Sequence, residues 1–187
     1  MRKLFTVTCI ALLPLISGCF ALAVGGAATG LMVAEDRRTI GTMTEDQGIE
    51  FKVSNRIEEK YKSTHLNVTS YNRAVLLTGE VPSEAAKTDA ERIARAVDNV
   101  RSVFNELQVS GNTSLQARTN DTVLTSKVKA RFVDARKFSP LHVKVVTENG
   151  VVYLLGMVKR QEAADATEVA RTTGGVLKVV RVFEYLD

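Results

Sequence analysis

The side chains best suited to nucleophilic, acid–base or soft-metal chemistry are Cys9, Cys19, His65 and His142, the only cysteines and histidines in 187 residues. No His/Cys group among them has metal-ligand spacing. The two histidines do not fall at matched positions in the internal repeat described below. His65 reads as part of a polar loop beside Asn67, and His142 as a strand residue between Leu141 and Val143, pointing to the polar face. The chain has no GxxxxGK[ST], GxSxG or GxGxxG motif. Gly25-Gly26 and Gly174-Gly175 are lone doublets that read as tether and turn, and Glu58-Glu59 as a solvated helix face. The residues therefore predict no enzyme, no catalytic group, no metal and no cofactor.

Charge is the more informative chemistry. Residues 46–109 carry nine Lys/Arg and ten Asp/Glu, a balance of −1, whereas residues 120–187 carry eleven and eight, a balance of +3. The excess lies in one segment, 122–137, with Lys127, Lys129, Arg131, Arg136 and Lys137 against Asp134 alone. If Leu124, Val128 and Phe132 point inward on a helix, Val123, Lys127 and Ala130 line up outward at i, i+4, i+7, with Arg131 beside them. An outward valine backed by cations suits an anionic headgroup surface, where each basic side chain contributes about 1 kcal/mol. The chain has no Trp, the strongest interfacial anchor.

The N-terminus supplies an address. Arg2 and Lys3 precede an apolar run from Leu4 to Ile16, followed by Ser17-Gly18-Cys19. That is the layout of a secretory signal peptide, 1–18. The run falls short of the roughly 20 residues of a membrane span, and Pro14 interrupts it. Ile16-Ser17-Gly18-Cys19 resembles the bacterial lipobox and predicts lipidation of Cys19. Phe20 follows the cysteine where an inner-membrane retention signal has Asp, which favours an outer-membrane anchor facing the periplasm. Residues 19–45 then read as lipidated cysteine and tether. With 45% hydrophobic residues the remainder is no disordered polyelectrolyte. The net charge, +4 overall and +2 without Arg2 and Lys3, is too small for a nucleic-acid binder.

These pieces sit on two copies of one unit. Ile49, Val53 and Ile57 in one copy answer Leu124, Val128 and Phe132 in the other, both at i, i+4, i+8. Leu66-Asn67-Val68 answers Leu141-His142-Val143, and the run 74–79 (AVLLTG) answers 151–156 (VVYLLG). The offset grows from 75 to 77, which reads as a longer second hairpin. A second helix starts near Ser83 in one copy and Gln161 in the other, and a β-branched run closes each. The expected caps of the first helices are Thr44 and Asn120 or Asp121. The predicted fold class is α+β: two αββαβ units, 46–109 and 120–187, joined by a linker at 110–119. In each, two helices cover a three-stranded mixed sheet. A unit this small is marginal alone, so the two are expected to bury apolar surface against each other.

The αββαβ pattern, with Asn120-Asp121-Thr122, the stretch 145–156 (VVTENGVVYLLG) and the segment 37–42 (RRTIGT), resembles the BON domain family. The resemblance implies an envelope-integrity lipoprotein, gathered at division sites, whose second BON domain binds anionic phospholipid such as phosphatidylglycerol. It implies Thr122, Val123, Ser126, Lys127, Ala130, Arg131 and Val133 as the lipid contacts. A second reading makes the pair of domains an adaptor for an envelope protein partner, using the charge-poor first unit and exposed hairpin edges.

Overall fold

Two apolar helix stripes, one per copy, organise the chain. In order, the elements are α1 (Ile40–Lys60), β1 (Leu66–Tyr71), β2 (Ala74–Val81), α2 (Glu84–Arg95), β3 (Ser102–Asn105), β4 (Gln108–Val109), α3 (Leu115–Ala135), β5 (Lys144–Glu148), β6 (Val151–Val158), α4 (Arg160–Arg171) and β7 (Lys178–Tyr185). A computed structural model describes residues 35–62, 64–111 and 113–187. The leader and Cys19 lie outside the described residues. Arg37–Asp187 forms one compact unit, and the description below concerns it. No helix among the described residues is long and apolar enough to cross a membrane.

Both stripes are buried as expected: Ile49, Val53 and Ile57 on α1, and Leu124, Val128 and Phe132 on α3. The helices start earlier than the stripes indicate. Thr39 caps α1 by accepting from the Thr42 amide, and Ser114 caps α3 by accepting from the Ala117 amide. Thr44, expected as a cap, instead lies inside α1 and returns its hydroxyl to the Ile40 carbonyl at 3.1 Å. The first turns of both helices are solvated and carry no apolar period to announce them. Ser83 caps α2 as expected.

Each sheet has β2 or β6 at its centre. The order is β1-β2-β3 in the first sheet, with β4 continuing the β3 edge after a break at Glu106-Leu107, and β5-β6-β7 in the second. The hairpin pairs are antiparallel and the crossover pairs β2·β3 and β6·β7 are parallel. Both hairpins turn on two residues of positive φ, Asn72-Arg73 (50° and 65°) and Asn149-Gly150 (50° and 74°), the signature of a tight primed turn. The second hairpin is not the longer, contrary to the sequence reading: both turns have two residues, and its ladder pairs five residues against six in the first. The two extra residues of the second copy fall between α3 and β5, where Pro140–His142 makes one 3₁₀ turn. His142 is therefore not in a strand, and it matches His65 after all. The His65 carbonyl sits where a Cβ on Gly79 would be, at 2.1 Å, and the His142 carbonyl does the same at Gly156, at 2.3 Å. Glycine is required at both positions by this close approach.

The two sheets pack face to face. Val75, Leu77 and Val81 point to the α1–α2 side, while Leu76 points to the other sheet. Val152, Leu154 and Val158 face α3 and α4, while Tyr153 and Leu155 join Leu76, Tyr71 and Val182 in a shared apolar layer. Burial on both faces explains why β2 and β6 are nearly continuous apolar runs rather than alternating ones. Polar links rim this layer: Asn67 Nδ2 donates to Glu148 at 2.9 Å, Asn72 Nδ2 to Glu184 at 2.8 Å, and Lys144 pairs with Glu50 at 3.1 Å. Arg37, ahead of α1, reaches across to the start of α4, donating through Nη1 and Nη2 to Glu162 at 2.7 and 2.9 Å and through Nη1 to the Met157 carbonyl at 2.8 Å. Its neighbour Arg38 stacks on Tyr71, 3.9 Å from the ring centre.

Candidate functional site

Helix α3 presents most of the expected surface. Thr122, Val123, Ser126, Lys127, Ala130 and Val133 are all exposed. The hydroxyls of Thr122 and Ser126 donate to the Arg118 and Thr122 carbonyls, at 3.0 Å each, so their protons are committed to the helix itself. Arg131 departs from expectation. It is half-buried, and its Nη1 donates to the Val169 carbonyl at 3.0 Å and to Thr173 Oγ1 at 2.9 Å. It ties α3 to the C-terminal end of α4, a favourable position for a cation, instead of standing free beside the outward stripe. Lys137 is likewise engaged, with Asp165 at 3.3 Å. Lys127 and Lys129 stay exposed without an ionic partner among the described residues.

The stripe borders a groove of about 520 Å³ that the sequence did not reveal. One wall is Val123, Leu124 and Lys127 of α3, and the other is the Asn149-Gly150 tip with Gly174-Gly175 and Leu177. The Leu177 amide donates to the Gly150 carbonyl at 2.9 Å, which fixes the loop after α4 against the hairpin tip. Val123 is 49% exposed and Leu177 80% exposed, so two apolar side chains stand at the groove with Lys127 among them. The first domain has Gly48 and the less exposed Val100 at the corresponding places, and so lacks this apolar pair. Gly174-Gly175 had read as a turn from sequence, which it is, and no local pattern marks Leu177 as outward.

A second grouping lies between the domains. His65 from the loop before β1, Glu80 from the inner face of β2, and Glu148 from the end of β5 bring one ligating atom each within 4.8 Å of one another. Glu80 is 1% exposed and Glu148 6%. Burial pushes the Glu80 carboxyl up, but hydrogen bonds from Thr113, Asn149 and His65 outweigh it and hold the group below its ordinary value. Burial raises Glu148, with the Asn67 amide opposing. Spacing along the chain gave no sign of this cluster, because three separate segments from two domains supply it.

The BON domain family matches residues 45–111 and 120–187. Over 176 residues the chain is 42% identical to a Haemophilus influenzae protein named outer membrane lipoprotein DolP, covering 92% of this chain and 91% of that one. It is 32% identical to the osmotically inducible protein Y of Escherichia coli, over 81% of this chain and 78% of that protein. It is 30% identical to a 21 kDa hemolysin of Actinobacillus pleuropneumoniae, over 81% and 80% respectively. None of these names denotes an enzyme. Each matched segment covers one αββαβ copy apart from the first turn of its leading helix: the chain belongs to the BON domain family and carries two copies of that domain.

Proposed function

We propose that this protein is an outer-membrane lipoprotein, anchored through Cys19 and facing the periplasm, that binds anionic phospholipid through its second BON domain and supports envelope integrity, including at the division site. The relative named as an outer membrane lipoprotein favours the location. The observation that carries the binding reading is that Val123 and Lys127 on one wall and Leu177 on the other line the same groove. Two exposed apolar side chains give a shallow insertion into the acyl boundary, and the unpaired lysines supply attraction to negative headgroups. The first domain has Gly48 at the Val123 position and the less exposed Val100 at the Leu177 position, which favours the second domain as the contact.

Flotation with phosphatidylglycerol vesicles against phosphatidylcholine vesicles tests the reading. The mature chain made without its acyl chains, as Cys19→Ser, should float with the anionic vesicles only, and a Val123→Asp, Lys127→Glu double variant of it that keeps the native circular dichroism should stay at the bottom. Equal flotation of the double variant removes α3 from the interface.

A further inference from the structure

We propose that His65, Glu80 and Glu148 form a binding site for a divalent transition metal, with Zn²⁺ the best match, and that the site is complete only when the two BON domains are docked. His65 and Glu80 belong to the first domain and Glu148 to the second. His65 Nδ1 lies 3.1 Å from Glu80 Oε2 and 3.7 Å from Glu148 Oε1. Ligand atoms about 2.0–2.2 Å from a tetrahedral zinc stand roughly 3.3–3.6 Å apart, so the two distances bracket what a zinc ion needs.

Each carboxylate is already oriented by its other oxygen. Asn149 Nδ2 donates to Glu80 Oε1 at 2.7 Å, with Thr113 Oγ1 on the same atom, and Asn67 Nδ2 donates to Glu148 Oε2 at 2.9 Å. Glu80 Oε2 also accepts from the Thr113 amide at 3.1 Å. The oxygens left facing the imidazole are Glu80 Oε2 and Glu148 Oε1. Amides that fix the far oxygen of a ligating carboxylate are the outer-shell arrangement that metal sites use.

Charge gives an independent argument. Two nearly dry carboxylates face each other across one imidazole, and among the described residues neither has a Lys or Arg ion partner. A single imidazolium offsets at most one of the two negative charges, whereas a dication offsets both. Imidazole with carboxylates is a ligand set zinc accepts. His65 and Glu148, though not Glu80, also line a polar cavity of about 180 Å³ with Asn67, Arg118, Asp121 and Thr147, large enough for the water that would complete a three-ligand site. Because the ligands span both domains, metal binding stabilises their docking by an amount that grows with the logarithm of free metal over Kd.

The test uses the full metal-free chain titrated with zinc sulfate by calorimetry, with X-ray absorption on the loaded protein. One zinc per chain is expected, with a first shell of nitrogen and oxygen only, the set that His65, Glu80 and Glu148 offer. Glu148→Gln keeps an acceptor for Asn67 and should weaken binding at least ~100-fold, since loss of an outer-shell partner alone costs 10–100-fold. His65→Gln should do the same, and it keeps the test open if the Glu148 variant does not fold. Absence of zinc uptake by the parent chain overturns the proposal. So does a sulfur shell, or uptake unchanged in a folded variant.

Discussion

Asp121 does in the second domain what Asp46 does in the first, 75 positions earlier: each helix carboxylate grips the two backbone amides of its hairpin tip. Asp46 accepts from the Asn72 and Arg73 amides at 2.8 and 2.7 Å, and Asp121 from those of Asn149 and Gly150 at 2.9 and 2.8 Å. Asp46 also takes the Ser70 hydroxyl at 2.6 Å and Arg38 at 2.9 Å. Both are buried. Asp46→Ala and Asp121→Ala should each cost about 1–3 kcal/mol, because two partly buried amides lose their acceptor. Asp46→Ala should cost more, since it also removes the contacts with Arg38 and Ser70. Urea unfolding measures both.

Glycine substitutions should split by surroundings. Gly79→Ala puts a methyl on the His65 carbonyl at a φ of +106°, and should destabilise by ~3 kcal/mol or more. Gly48→Ala meets nothing within 4 Å inside α1 and should stabilise by about 0.5–1 kcal/mol. Thermal melts of the two variants read the contrast directly.

Arg131 and Lys127 should separate stability from binding. Arg131→Gln removes the contact with the end of α4 and should lower stability by about 1–2 kcal/mol. Lys127→Glu should leave the melting temperature within a degree or two, as surface changes do, while weakening association with phosphatidylglycerol vesicles. Denaturant midpoints and flotation, measured on the same preparations, distinguish them.

Glu162 should make acid stability depend on Arg37. The Arg37 guanidinium holds the Glu162 carboxyl down to about 2 from its ordinary 4.5, assisted by the Lys159 amide and His142 and opposed by burial. A carboxyl lowered on folding contributes stability that is complete above its unfolded value and is lost as pH falls toward the folded one. The chain should therefore lose this contribution between about pH 4.5 and 2. At pH 7, Glu162→Gln should be less stable by about 1–2 kcal/mol, and the gap should close across that window. Chemical denaturation of both forms at stepped pH reports it.

How much of this was legible follows from which residues repeat and which do not. Ile49, Val53 and Ile57, with their counterparts Leu124, Val128 and Phe132, announce both first helices, because burying one stripe imposes a fixed period. The starts at Ile40 and Leu115 were hidden, since solvated first turns need no period. The equivalence of His65 and His142 was lost because the two-residue insertion precedes β5, shifting the strand register relative to the helix. The continuous run 74–79 told of burial on both faces, but nothing in it names the covering surface. Leu177 and the His65–Glu80–Glu148 cluster depend on loops and strands meeting across the fold, and no linear spacing encodes that.

The stacking of one sheet upon the other turns the two helical layers away from each other. A flat bilayer can rest against only one side of such a slab. Duplication here has yielded a front and a back instead of a bivalent grip, and the side bearing α1 and α2 is left to look into the aqueous space whenever α3 lies on lipid.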